Sequence, residues 1–199
     1  MLKYKYFAQP INNLGTNRTI LYELLLRQWD ERQQTWRIPA TFEIAPTELI
    51  QLLDCAIQEL NNHHVSINLT ARQFANPDFQ AAISHYVQTH LLPRELTVEL
   101  VATPELSELQ QLSVGYRAAG ILLAFDDVGS DNLFQQIKMM LPYVNTVKFA
   151  LQNMRPLGPQ LRMQLFRRSN FGLIRRRNSK CYLPLKALNQ RLMFNWLII

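Results

Sequence analysis

The chain has 199 residues, of which 48% are hydrophobic and 18% are charged, a composition typical of a globular domain. No stretch approaches the roughly 18 apolar residues of a membrane-spanning helix, so we expect no membrane span. The two cysteines, Cys55 and Cys181, share no motif. They therefore favour a cytoplasmic protein without a disulfide framework.

The formal net charge of +6 is unevenly distributed along the chain. Residues 1–150 hold 11 Lys/Arg and 15 Asp/Glu, whereas residues 151–199 hold 10 Lys/Arg and no acidic residue. Globular domains normally intersperse the two signs. We therefore expect one folded portion over 1–150 and an atypical basic tail over 151–199.

Apolar runs and turn residues predict strands in regular alternation with helices. In chain order, the predicted strands cover residues 4–11, 19–27, 65–69, 96–101, 121–128 and 143–150. The predicted helices begin near Pro46, Pro77, Pro104 and Asp131. This alternation indicates an α/β protein with a largely parallel sheet, either a barrel or a doubly wound sheet. No glycine fingerprint follows the first strand, as a dinucleotide-binding doubly wound sheet would require.

An acidic pair, Asp126 and Asp127, follows directly on the apolar run 121–125. Such a run is typical of a strand buried on both faces, and α/β folds place their chemistry at the carboxyl ends of such strands. The alternative is that the pair is simply the start of a loop or helix. Polar residues on the other predicted strands help to distinguish a functional site from a simple loop or helix start.

Four more predicted strands each hold one polar group in an apolar context: Glu23, Asn68, Glu99 and Lys148. Any one of them could be an edge-strand charge or a satisfied buried group. In a barrel, however, all of them converge with Asp126 at one mouth. Carboxylates and an amide are ligands for Mg²⁺, Mn²⁺ or Ca²⁺ rather than for zinc.

Phosphate chemistry fits this set of residues. Asp127 could reach a second cation, and paired divalent cations are used to hydrolyse phosphodiesters. Lys148 would add a fixed positive charge near the nucleophile or the phosphate, and Arg27 could bind a phosphate at the rim. The residues alone thus predict a metal-dependent phosphate-ester site on an α/β barrel.

Several motifs in order make the chain resemble the EAL domain, a bacterial phosphodiesterase that linearises cyclic di-GMP. The resembling segments are Gln9-Pro10-Ile11, Glu23-Leu24-Leu25-Leu26-Arg27, Asn68-Leu69-Thr70, and Asp126-Asp127-Val128-Gly129, followed by the strand that carries Lys148. Their order and spacing match over residues 4–150.

The resemblance implies a modified TIM-like (β/α)8 barrel whose first strand is antiparallel to the others, here incomplete with about six strands. It assigns Lys148 and Glu23 to catalysis, and Gln9 and Arg27 to substrate binding. It also assigns Glu23, Asn68, Glu99 and Asp126 to a first Mg²⁺ or Mn²⁺ and Asp127 to a second. The implied partners are cyclic di-GMP, a second copy in a homodimer, and a regulatory protein, with nucleic acid disfavoured.

The chain also departs from the family pattern. Val101 and Ala102 replace the usual Thr-Glu, and Asn145 stands where an acid is usual. The loop after Gly129 is altered, and residues 151–199 lack the final Glu-Gly-Val-Glu and Gln-Gly motifs. We therefore expect weak or absent turnover, and keep as alternative a degenerate EAL domain that binds nucleotide or protein without catalysis.

The basic tail allows two interpretations. Its arginine clusters and aromatic residues could bind nucleic acid or an acidic membrane. Alternatively, a reading-frame change near residue 151 would give a basic, acid-free sequence that truncates the family pattern. The lack of clear periodicity in the tail favours the second interpretation.

Overall fold

The structure is a computed structural model that describes residues 3–13, 18–61, 64–128, 139–150, 174–175 and 180–184. For residues 13, 127–128, 149–150, 174–175 and 180–184 it describes the backbone alone.

The described residues form nine strands and four helices, with one 3₁₀ turn at Leu141–Tyr143. The strands are β1 (Tyr4–Asn13), β2 (Arg18–Asp30), β3 (Thr35–Arg37), β4 (Val65–Leu69), β5 (Leu96–Leu100), β6 (Leu122–Val128), β7 (Thr146–Ala150), β8 (Ile174–Arg175) and β9 (Lys180–Pro184). The helices are α1 (Pro46–Glu59), α2 (Ala71–Ala75), α3 (Pro77–His90) and α4 (Leu106–Ala118).

One sheet contains all the strands, in the order β1-β8-β9-β7-β6-β5-β4-β2-β3. Strands β2, β4, β5, β6 and β7 are parallel to their neighbours in that series. Strand β1 pairs antiparallel with β2, and the short β9 pairs antiparallel with β7. Parallel pairing among the described residues therefore ends at β7, which is fewer parallel strands than a regular (β/α)8 barrel has.

Alternation along each strand sends one set of side chains outward to the helices and the other set inward. On β4, the outward set is Val65, Ile67 and Leu69, which lie in the hydrophobic core together with residues of the helices. The inward set on the same strand is Ser66 and Asn68. The inner face therefore collects the polar groups that interrupt the apolar strands.

Side-chain hydrogen bonds fix the first residues of helices α2 and α3. Thr70 caps α2: its hydroxyl accepts a hydrogen bond from the Gln73 backbone N–H, and the Gln73 side chain accepts one from the Thr70 N–H. Asn76 caps α3 by accepting from the Asp78 N–H, with Pro77 at the first helical position. The Thr70 capping box holds the chain immediately after Asn68.

The predicted fold class is confirmed, with six barrel strands near the expected positions and an antiparallel first strand. The strand predicted over 143–150 begins later, at Thr146, because Leu141–Tyr143 forms a 3₁₀ turn. Strands β3, β8 and β9 and helix α2 were not predicted. The helix predicted from Asp131 to Met140 lies largely outside the described residues.

Candidate metal and nucleotide site

Five strands of the sheet each bring one polar side chain to the inner face. Glu23 lies on β2, Asn68 on β4, Glu99 on β5, Asp126 on β6 and Lys148 on β7. Asn68 and Glu99 are direct register partners. The residues predicted to converge are therefore brought together.

Three carboxylates meet at the centre of this group. One carboxylate oxygen from each of Glu23, Glu99 and Asp126 lies within 4.8 Å of the others. Glu23 and Glu99 are 1% and 0% exposed, so water screens their negative charges poorly. Burial raises the pKa of Glu99 to about 7, and Glu23 and Asp126 add to the rise while Lys148 opposes it.

Lys148 is a buried cation that contacts two of these carboxylates. Its Nζ donates a hydrogen bond to Oε2 of Glu23 at 3.0 Å and forms an ion pair with Oε2 of Glu99. The side chain is 1% exposed. A buried lysine is tolerated only where such partners compensate its loss of hydration.

The remaining polar atoms suit a divalent cation. Asn68 uses its amide nitrogen to donate to Oε1 of Glu23 at 3.2 Å, so its carbonyl oxygen is the atom that can act as a ligand. Oε1 of Glu99 is buried and has no hydrogen-bond partner among the described residues. Three carboxylates with an amide oxygen form a hard-oxygen donor set that fits Mg²⁺, Mn²⁺ or Ca²⁺.

Asp127 follows Asp126 on β6, but its side chain lies outside the described part of the structure. Its predicted contact with a second cation therefore stays a prediction.

A cleft of about 490 Å³ opens beside the carboxylates. Its wall includes Glu23, Asn68 and Asp126 together with Arg27, whose Nη1 donates to the Leu26 carbonyl at 2.8 Å. Gln9 faces Glu23 across the β1–β2 pair, because the two residues are register partners. Of the residues predicted to contact the substrate, Arg27 thus lines the cleft and Gln9 lies beside Glu23 on the neighbouring strand.

The structure shows the surroundings of two residues that depart from the family pattern, Val101 and Asn145. Val101 lines the cleft and is 49% exposed, so an apolar side chain occupies the rim where the pattern has a polar pair. Asn145 accepts a hydrogen bond from the Leu123 N–H through Oδ1 at 2.9 Å, and its own N–H donates to the Leu123 carbonyl at 2.7 Å. Asn145 therefore joins the start of β7 to β6.

The sequence did not indicate the opposite wall of the cleft, which comes from the segment between β3 and α1. Phe42 and Ile38 line the cleft, and they are 44% and 67% exposed. Glu43 anchors this segment, because its carboxylate accepts from the Thr70 hydroxyl at 2.8 Å. Gln73 donates to the Phe42 carbonyl at 2.9 Å. These contacts depend on tertiary placement, and only the Thr70–Gln73 capping box is visible in the sequence.

A comparison with protein-family models agrees with this architecture. The model described as the EAL domain matches residues 3–134, which is more than half of the chain. The chain belongs to the EAL domain family. No curated protein matches its sequence significantly.

Solved EAL structures share this EAL domain's fold. An EAL domain protein from Listeria monocytogenes EGD-e is 22% identical, with a TM-score of 0.63 over 82% of this chain and 70% of that protein. The FimX EAL domain from Pseudomonas aeruginosa, bound to c-di-GMP, is 18% identical, with a TM-score of 0.60 over 83% and 76% of the two chains.

A third structure contains both ligand and cation. The Bacillus subtilis YkuI protein, in complex with substrate c-di-GMP and calcium, is 15% identical with a TM-score of 0.60. The match covers 83% of this EAL domain and 44% of that protein, so the chain spans less than half of its length. In the described part of the EAL domain, no helix is long and apolar enough to cross a membrane.

Proposed function

We propose that the chain is a cyclic di-GMP phosphodiesterase of low turnover, which opens one phosphodiester bond to give linear pGpG. The observation that carries the proposal is the convergence of Glu23, Glu99 and Asp126 within 4.8 Å beside Asn68 and the buried Lys148. Known EAL structures with c-di-GMP bound share this fold and add support.

In this proposal Glu23, Asn68, Glu99 and Asp126 hold one Mg²⁺ or Mn²⁺, and Asp127 approaches a second. When bound, such cations neutralise phosphate oxygens and make a coordinated water more acidic. The buried carboxylates favour cation binding, because a divalent ion offsets the mutual repulsion of three carboxylates whose oxygens lie within 4.8 Å of one another.

Lys148, Arg27 and Gln9 act on the substrate in this proposal. Lys148 holds a positive charge where negative charge develops on the phosphate, and Glu23 keeps Lys148 oriented through their 3.0 Å contact. Arg27 presents a planar donor group that matches phosphate oxygens. Gln9, opposite Glu23, supplies amide donors and acceptors to the nucleotide.

Low turnover follows from the departures around the site. The rim position Val101 is apolar, and the loop beyond Gly129, which would support the second cation, differs from the family pattern. We therefore propose that the first cation site is complete and the second is weakened.

A binding module without catalysis is the second candidate. It is favoured by the contact of one ammonium group with two of the proposed metal ligands, Glu23 and Glu99. Loading of the cation then competes with Lys148. In this form the domain would act in the cytoplasm, as a homodimer or through a regulatory protein partner.

Incubation of the purified chain with cyclic di-GMP and Mn²⁺, followed by chromatography, tests the proposal. Linear product from the wild type and none from Lys148→Met supports it, with Lys5→Met as the matched surface-lysine control. Calorimetric binding of cyclic di-GMP with Ca²⁺, without product in Mn²⁺, would favour the second candidate. Absence of product and of nucleotide binding, together with no protein partner in pull-downs, overturns both.

A further inference from the structure

Three aromatic rings on strands β1, β2 and β3 contact one another, and the proposed function does not use them. We call Phe7, Trp29 and Trp36 the aromatic cluster. The Phe7 and Trp36 ring centroids are 6.1 Å apart, and the Trp29 and Trp36 centroids are 5.4 Å apart, with interplanar angles of 60° and 63°. Edge-to-face contacts of this kind hold rings in fixed orientations.

The aromatic cluster lies on the same face of the sheet as the carboxylates. Phe7 is two residues from Gln9 on β1, and Trp29 is six residues from Glu23 on β2. An even separation along a strand keeps side chains on one face. Trp36 joins them because it is the register partner of Trp29.

Register also gives the separation between the aromatic cluster and the carboxylates. Gln9 is opposite Glu23, and Phe7 is opposite Leu25. At about 3.3 Å per residue, Phe7 lies about 7 Å from the level of Glu23, in the direction of the carboxyl end of β2. In a nucleotide only a ribose separates phosphate and base, so a phosphate at the carboxylates brings its base to this level.

The Phe7 side chain remains partly exposed to solvent although its ring contacts Trp36. Its side chain is 44% exposed. Among the described residues, seven large apolar side chains are exposed; Phe7 is one of them, and Ile38, Phe42 and Val101 are three others that line the cleft beside the carboxylates. Exposed apolar surface concentrated at one place is typical of a binding site.

We propose that Phe7, held by Trp36 and Trp29, stacks one guanine base of the bound cyclic dinucleotide. This subsite rests on the proposed function, since the phosphate is placed by the carboxylates and Arg27. A flat purine can stack on an aromatic ring that is partly exposed to solvent. Ring-base stacking contributes enough that truncation weakens binding about five-fold to one-hundred-fold.

Binding of cyclic di-GMP in Ca²⁺ to a set of Phe7 variants tests the subsite by calorimetry. Phe7→Leu keeps apolar volume but removes the ring, and we expect binding weakened at least about five-fold. Phe7→Tyr keeps the ring and binds within about two-fold of the wild type. Leu92→Ala, which truncates an exposed apolar side chain on a distant loop, leaves binding unchanged.

Fluorescence supplies an independent readout. The chain has three tryptophans, Trp29, Trp36 and Trp196. In a Trp196→Phe background, the emission reports on the aromatic cluster alone. We expect cyclic di-GMP to change this emission both when Phe7 is retained and in the Phe7→Tyr variant.

Unchanged affinity in Phe7→Leu, with unchanged fluorescence on binding, overturns the subsite and leaves the proposed function standing. Absence of binding by the wild type overturns the proposed function and the subsite together. Circular dichroism and the unfolding midpoint of Phe7→Leu check the fold, and the Phe7→Tyr comparison tests the ring within an intact structure.

Discussion

The ammonium nitrogen of Lys148 lies 3.0 Å from Oε2 of Glu23, and both side chains are excluded from water. Lys148 also contacts Glu99, so a single positive charge serves two buried carboxylates. Lys148 is thus the internal counter-ion of the site, which predicts how the chain responds to mutation, pH and cations.

Replacing Lys148 by methionine removes the ammonium group that contacts Glu23 and Glu99. We expect the metal-free protein to lose about 3–5 kcal/mol of unfolding free energy, because removal of one partner strands a buried charge. Urea unfolding in EDTA measures the loss, and Mn²⁺ is expected to restore more stability to the variant than it adds to the wild type.

The control for that experiment is Lys5→Met. Lys5 lies 3.6 Å from Glu59 in an exposed ion pair, and such pairs contribute less than about 1 kcal/mol. A Lys148→Met protein as stable as Lys5→Met would contradict the counter-ion role.

Glu99 predicts a pH dependence of stability. Its pKa is about 7 in the folded chain against 4.5 ordinarily, so the folded state binds the proton more tightly than the unfolded state does. Its contribution is therefore fully present below pH 4.5 and is lost as the pH rises through about 7, by about 3 kcal/mol. Unfolding free energies in EDTA, measured from mildly acidic to mildly alkaline pH, give this slope.

Glu99→Gln removes the titrating group, and we expect its stability to vary less over the same pH range. Saturating Mn²⁺ is expected to flatten the wild-type profile too, since a cation favours the carboxylate form. A variant that keeps the full wild-type slope would assign the pH dependence to another group.

Asp126→Asn tests the cation site in a chain that retains Lys148. Loss of one carboxylate from the cluster lowers the attraction for a divalent ion, and we expect Mn²⁺ affinity to fall at least about ten-fold. Isothermal titration with Mn²⁺ gives the value. Asp54→Asn is the control, because Asp54 accepts hydrogen bonds from Tyr86 and Gln58 away from the cluster. Equal affinities for the two variants would exclude Asp126 as a ligand.

Arg27→Lys separates substrate binding from cation binding. The charge remains but the paired donors of the guanidinium are lost, so we expect cyclic di-GMP affinity to fall about ten-fold or more. Mn²⁺ affinity is expected to stay at the wild-type value. Arg37→Lys is the control, since Arg37 pairs with Asp30 at 3.4 Å on the β2–β3 hairpin. A parallel loss of Mn²⁺ binding in Arg27→Lys would contradict the assignment.

The sequence predicted the sheet and the convergence on its inner face because each barrel strand is a local apolar run with one polar interruption. Glu99 within Leu96–Leu100 is an example. Register then follows from strand pairing, and a parallel sheet brings equivalent ends together.

Other features depend on contacts that sequence periodicity does not encode. Strand β3 has only three residues, and it is recognised by its pairing with β2, in which Trp36 is the register partner of Trp29. The partners in the Glu43–Thr70 hydrogen bond are 27 positions apart. The ring contacts of the aromatic cluster likewise join three strands, so composition alone marks its members only as apolar residues.

The Lys148–Glu23 contact also has a consequence for assembly during synthesis, because its partners are 125 positions apart. Strands β2, β5 and β6, which carry the three carboxylates, leave the ribosome before β7 does, since the amino-terminal part of a chain emerges first. The contact between Lys148 and Glu23 can therefore form only after the last of these strands, β7, has emerged. Until then the buried carboxylates of Glu23 and Glu99 lack the ion pair with Lys148 that the folded chain has.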